Sequence, residues 1–223
     1  MMTPIVGGAF RWRQAIALAR PSTRVVKWQP MAQVMLFATL FVILGSRAGV
    51  LQRLSMAGVA VAAASAFVLD DSAAITLAAV PTSLPVRRLW RVAATVVGIA
   101  LWWAAVIAVA KHQAGDFPLR GRALELIVYV TIALAVSAIA SMVGDRIEGG
   151  IAGAVIVGVC YALTLLPPWR WLPFPAHPDA AGAQTRLLIL LAGALALLAW
   201  ASSDPARRPG RRKSTEQRHH STA

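Results

Sequence analysis

The sequence predicts an all-α integral membrane protein: a bundle of six transmembrane helices preceded by an amphipathic N-terminal helix. Three observations lead there. The 223 residues are 58% hydrophobic and only 14% charged, with a mean hydropathy of +0.64, whereas a soluble domain carries about a quarter charged residues. The apolar residues gather into runs close to the ~20 residues that a helix needs to cross a bilayer. The charges, net +13, collect between those runs, where anionic headgroups and the positive-inside rule account for them. No nucleic-acid recognition motif accompanies the positive charge, so a nucleic-acid partner is not expected.

Taken in chain order, residues 1–30 form a cytoplasmic segment in which "GGAFRWRQAIALAR" can lie as a short helix on the membrane surface. Trp12, Ile16 and Ala19 share a face beside Arg13 and Arg20. The spans are expected over 31–46, 54–69, 90–110, 124–143, 150–167 and 186–202, which makes 31–202 the transmembrane domain. The first apolar run follows five cations and is not trailed by a cleavage-site pattern, so it reads as an uncleaved span. With both termini on one side, fifteen Lys and Arg fall on that side and seven on the other. Both termini are therefore expected in the cytoplasm. Trp28, Trp90, Trp169, Trp171 and Trp200 fall at span edges, as interfacial indoles do, while Trp102 and Trp103 lie deeper and read as packing residues.

Small residues recur every fourth position in the fifth span, at Gly150, Ala154, Gly158 and Ala162. Such a strip lets helix backbones approach closely in lipid. Residues 168–185 hold a dense set of prolines among Trp169, Trp171, Leu172 and Phe174. They are expected to dip back into the outer leaflet as an external excursion. The tail, 203–223, is basic, Pro-containing and expected to be disordered.

The sequence offers little chemistry. It has no Walker A sequence, no metalloprotease or nucleophile-elbow motif and no metal-ligand cluster. The single cysteine, Cys160, sits in an apolar run and excludes an internal disulfide. Polar residues inside the spans (Ser65, Thr95, Thr131, Ser137 and Ser141 among them) are expected to satisfy helix backbone or neighbours. Tyr129, Tyr161 and Thr164 belong with them. No catalytic residue and no metal site is assigned. Glu125, at the start of the fourth span, is the one candidate for an intramembrane charge, and its position places it near the external surface in contact with solvent.

Residues 70–92 are the most organised polar segment. Asp70 and Asp71 precede "SAAITLAAVPTSLP", which can form one or two helical turns capped by Asp71 or Ser72 and ended by Pro81. Arg87, Arg88 and Arg91 then suit the headgroup level at the entrance to the third span. As a bare connector, these charges would only fix topology.

The pattern "LDDSAAITLAAVPTSLPVRRLWR", with six spans, an amphipathic N-terminal helix and an apolar external excursion between the last two spans, resembles the ABC-2 type permease subunits of bacterial ABC transporters. The resemblance implies a coupling helix seated on a separate ATPase subunit. Its contacts would run from Asp70 and Asp71 through Thr76, Leu77, Pro81 and Thr82 to Arg87 and Arg88. Asp145, Arg146 and Glu148 would supply a second contact. It further implies ATP and magnesium on the partner ATPase and no cofactor on this chain. Pairing with a second copy or a related permease, contact with membrane lipids and residence in the bacterial cell membrane are implied too, as is alternating access driving export. A non-transporting membrane scaffold or immunity-type accessory subunit is the alternative, and its loop would tolerate scrambling. A secondary carrier or membrane enzyme would instead depend on Glu125, His112 or His177.

Overall fold

The computed structural model describes residues 28–46, 49–69, 84–115, 117, 120–143, 149–165 and 182–202. These residues are helical and contain no strand. The helices are α1 (Trp28–Leu44), α2 (Val50–Ser65), α3 (Leu84–Ala114), α4 (Arg120–Val143), α5 (Gly149–Leu165) and α6 (Ala183–Ser202), with a 3-10 turn at Ala66–Leu69 that continues α2. Four stretches are long and apolar enough to cross a membrane: Val50–Leu69, Leu89–Gln113, Arg120–Met142 and Ala183–Ser202. The chain is thus a helical membrane protein by composition and length. Trp28–Leu44 and Gly149–Leu165 are apolar but shorter, at 17 residues each.

All six helices overlap the expected spans, but several ends differ. α2 begins at Val50 rather than 54, because Gly49 takes φ 82 and turns the chain directly into the helix, a conformation glycine adopts without Cβ strain. The guanidinium of Arg53 reaches back to the carbonyl of Ser46 and closes this connection. α3 starts at Leu84, so Pro85, expected to lie in the connector, occupies the first helical turn, where its missing N–H costs nothing. Arg87 and Arg88 consequently lie on a helix that runs without interruption into the span.

Contacts between helices show that α1 to α5 alternate in direction. At one end Gln113 Nε2 donates to the Ile43 carbonyl at 3.1 Å and Gln52 Nε2 to the Tyr161 hydroxyl at 3.4 Å. At the other, Ser137 Oγ donates to the Ala66 carbonyl at 2.9 Å. α4 packs against α5, α6 and α2, and α1 packs against α2 and α3. The 18-residue apolar windows of α2 and α4 are 56% and 61% buried, against 28% for α3 and 17% for α6, so α2 and α4 form the centre. The outward faces carry Phe37, Phe41, Leu101, Val155, Ile189 and Leu195. In water this area would be a large aggregation surface; facing acyl chains it costs nothing.

The tightest helix contact lies one register away from the expected strip. A Cβ on Gly149 would stand 2.5 Å from the Ser137 carbonyl oxygen, and one on Gly153 would stand 2.6 Å from the Ala133 oxygen and 2.7 Å from Ala66 Cβ. Gly149, Gly153 and Val157 are buried and form the α5 seam against α4 and the 3-10 turn. Of the residues expected to pack, Gly150 is buried and Ala154 half-buried, but Gly158 and Ala162 are exposed, with open space around Gly158. Small residues occur in both registers, and only the position of α4 distinguishes them.

Span polar groups behave as expected. Thr95, Thr131 and Thr164 hydroxyls donate to carbonyls three or four residues earlier at 2.7–2.8 Å, and Ser65 and Ser141 do the same at 2.6 and 2.8 Å. Trp102 bridges helices, its Nε1–H reaching Thr39 Oγ1 at 3.0 Å and the Met35 carbonyl at 3.2 Å. Ser137 is the hydroxyl that ties α4 to the end of α2 while fully buried. Ser137→Ala is expected to cost about 1 kcal/mol, because it removes a buried hydrogen bond between α4 and the end of α2. Denaturation in mixed micelles measures this, and Ser141→Ala, whose hydroxyl bonds its own helix, serves as the comparison.

Candidate functional site

Most of the expected partner contact lies outside the described residues: Asp70, Asp71, Thr76, Leu77, Pro81, Thr82, Asp145, Arg146 and Glu148. The same holds for the amphipathic segment, most of the external excursion, His177 and the tail. The flanks of the 70–83 connection are described, and the one that precedes it is buried. Before it, Val68 and Leu69 are buried in the 3-10 turn, packed near α4 and α5. After it, α3 is already helical at Leu84 and reaches Arg91, expected at the headgroup level but 3% exposed. A guanidinium so enclosed needs compensating partners; α3 contacts the 3-10 turn at the end of α2, while Leu89, two residues nearer the connection, is 68% exposed.

A second polar constellation occupies the opposite end, between α2, α3, α4 and α5. Arg122, Glu125, Leu126 and Tyr129 stand at i, i+3, i+4 and i+7 on α4 and thus share one face. That face meets Ser55, Gly58 and Val59 of α2 and Trp103 of α3. Arg122 Nη1 donates to Glu125 Oε2 at 3.1 Å and to Ser55 Oγ at 2.5 Å, and the Ser55 hydroxyl donates to Glu125 Oε2 at 3.3 Å. The three groups close a triangle across two helices. One turn earlier on α2, Gln52 Nε2 donates to the Tyr161 hydroxyl of α5.

This corrects the expectation that Glu125 is solvated. The side chains of Arg122 and Glu125 are 14% and 12% exposed, and Tyr129 directly beneath them is 2% exposed. The helix begins at Arg120, four residues before the expected span, so an extra turn of α4 shields the carboxylate. A neutral, hydrogen-bonded ion pair avoids the cost of an isolated charge at this depth.

Between these residues lies a cavity of about 10 Å³, lined by Leu54, Ser55, Gly58, Trp103, Arg122 and Glu125 among others, about the room one water needs. Glu125 and Tyr129 were visible in the sequence as polar residues near or within a span; Ser55, Gln52 and Trp103 were not legible as their neighbours. The available signal was the spacing of Arg122, Glu125 and Tyr129 on one helical face. His112 is exposed in the last turn of α3, outside this constellation. Among the described residues no group of His, Cys, Asp or Glu is placed to hold a metal ion, and Cys160 is a half-buried free thiol.

Comparison with protein-family models, with curated proteins and with solved structures returns no match to this chain.

Proposed function

We propose that this chain is the membrane-spanning permease subunit of an ATP-driven exporter of the ABC-2 type. In this reading α1 and α5 join the four longer helices as full spans, giving six. The amphipathic segment lies on the cytoplasmic face of a bacterial cell membrane, and both termini are cytoplasmic. ATP and magnesium bind a separate ATPase chain, while a second copy or a related permease completes the transporter. The cargo class the apolar walls favour is amphiphilic.

The observation that carries the proposal is the anchorage of the acidic-to-basic connection. A coupling element transmits motion only if its ends are stiff, because a slack loop absorbs displacement. Here Leu69, immediately before Asp70, is 5% exposed, and Arg91, closing the basic flank, is 3% exposed. A displacement of the Asp70–Pro81 segment would reach α2 through the buried Leu69, and α2 lies at the bundle centre.

The test is co-purification of the full chain from its native membrane, followed by replacement of residues 72–82 with a Gly/Ser linker that spares α3. The expected result is a separate Walker A-containing ATPase chain bound to the wild type and lost from the linker variant, with membrane insertion retained. The proposal fails if no ATPase chain accompanies the wild type, or if the linker variant keeps both partner and activity.

A further inference from the structure

The cavity between α2, α3 and α4 is surrounded by donors that the described residues leave unused. Trp103 is 8% exposed, lines the cavity, and its buried Nε1 has no hydrogen-bond partner; the buried Nε of Arg122 has none either. Buried indole N–H groups are ordinarily satisfied. Two such donors beside one small cavity call for an acceptor of about one solvent molecule's size.

Charge decides which acceptor. Arg122 and Glu125 neutralise each other across their 3.1 Å contact, so a halide would gain from the guanidinium what it loses to the carboxylate. A cation is opposed by the N–H groups that face it. The other ionisable groups near this carboxylate are Tyr129 on α4 and Tyr161 on α5; Lys111, His112 and Arg120 sit exposed at the same end. A water molecule accepts from both free donors and has two hydrogens left for Glu125 and its surroundings. Gly58 lines the cavity, and a Cβ there would stand in van der Waals contact with Leu126 and the Trp103 ring, at 3.5 and 3.7 Å.

We propose that this cavity binds a single water molecule, held by Trp103 Nε1–H, Arg122 Nε–H and the Glu125 carboxylate, and that solvent enters the transmembrane core here. The site lies at the end of the bundle opposite the 70–83 connection. Its wall on one side is α3, which is much less buried than α2 and α4 and therefore the wall best able to move. The assignment holds whether or not an ATPase drives the protein.

Hydroxyl-radical footprinting of the full chain in lipid nanodiscs tests it, because water bound against a buried ring is converted to radical in place. Tyr129, at 2% exposure, is expected to label in the wild type despite its burial. The label should fall severalfold in Gly58→Ala, whose methyl takes up part of the cavity, and in Trp103→Phe, which keeps the ring and removes the donor. Trp200, 55% exposed and far along α6, should label equally in all three. An unlabelled Tyr129 in the folded wild type overturns the proposal, as does equal labelling in both folded variants. Labelling that changes when chloride is replaced by gluconate overturns water in favour of a halide.

Discussion

Gly153→Ala is expected to destabilise the protein by about 3 kcal/mol, at the upper end of what overpacking costs, whereas Gly158→Ala on the same helix is expected to be neutral or slightly stabilising. The new Cβ at 153 would meet the Ala133 oxygen at 2.6 Å and Ala66 Cβ at 2.7 Å. Neither atom is the far end of a flexible side chain. The first is α4 backbone and the second a methyl fixed to the 3-10 turn, so α5 must move away from both. Separation of α5 also weakens the Gln52–Tyr161 contact at the far end of the helix. At 158 nothing lies within 4 Å, and replacing a helical glycine by alanine gains up to about 1 kcal/mol in helix propensity. Thermal unfolding of the two variants in the same detergent separates them. Equal midpoints would refute the assignment of the α5 seam to Gly149 and Gly153.

Glu125→Ala is expected to cost about 3 kcal/mol, because it leaves the Arg122 guanidinium enclosed without the carboxylate that balances it. The paired change Arg122→Met with Glu125→Leu is expected to recover most of that loss, since removal of both charges removes the desolvation cost as well as the attraction. The double-mutant cycle measured by denaturation in mixed micelles reads the coupling directly. Additive losses would mean that the 3.1 Å pair contributes little and that each side chain acts through its own solvation. The exposures of 14% and 12% hold the figure below that of a fully enclosed pair.

The class of the protein was written in its composition: long apolar runs separated by basic connectors admit few folds besides a helical membrane bundle. Helix positions followed from hydropathy to within a few residues, and the largest departures came from local chemistry that hydropathy ignores. Gly49 starts α2 early by turning at positive φ, and Pro85 is absorbed into the first turn of α3 instead of holding the chain out of the helix. Of the candidate site, Glu125 was identified, but as a solvated residue. Its partner Arg122 lies three residues away and is, by hydropathy, one of the seven cations on the external side. Ser55, sixty-seven residues from Arg122, carried no signal.

By itself, then, the sequence determined the helical, membrane-embedded class of this protein and the separation of its charges from its apolar runs, because those depend on transfer between water and lipid. The tertiary structure decided which helix faces meet. Lipid and neighbouring helices are equally apolar, so burial leaves no hydropathy contrast around a span. Gly153 and Gly158 are the same residue type on the same helix, yet one touches backbone and the other nothing. For the same reason Arg91, expected at the headgroup level, and Glu125, expected near the external surface, are enclosed once α3 and α4 start six and four residues earlier than the expected spans.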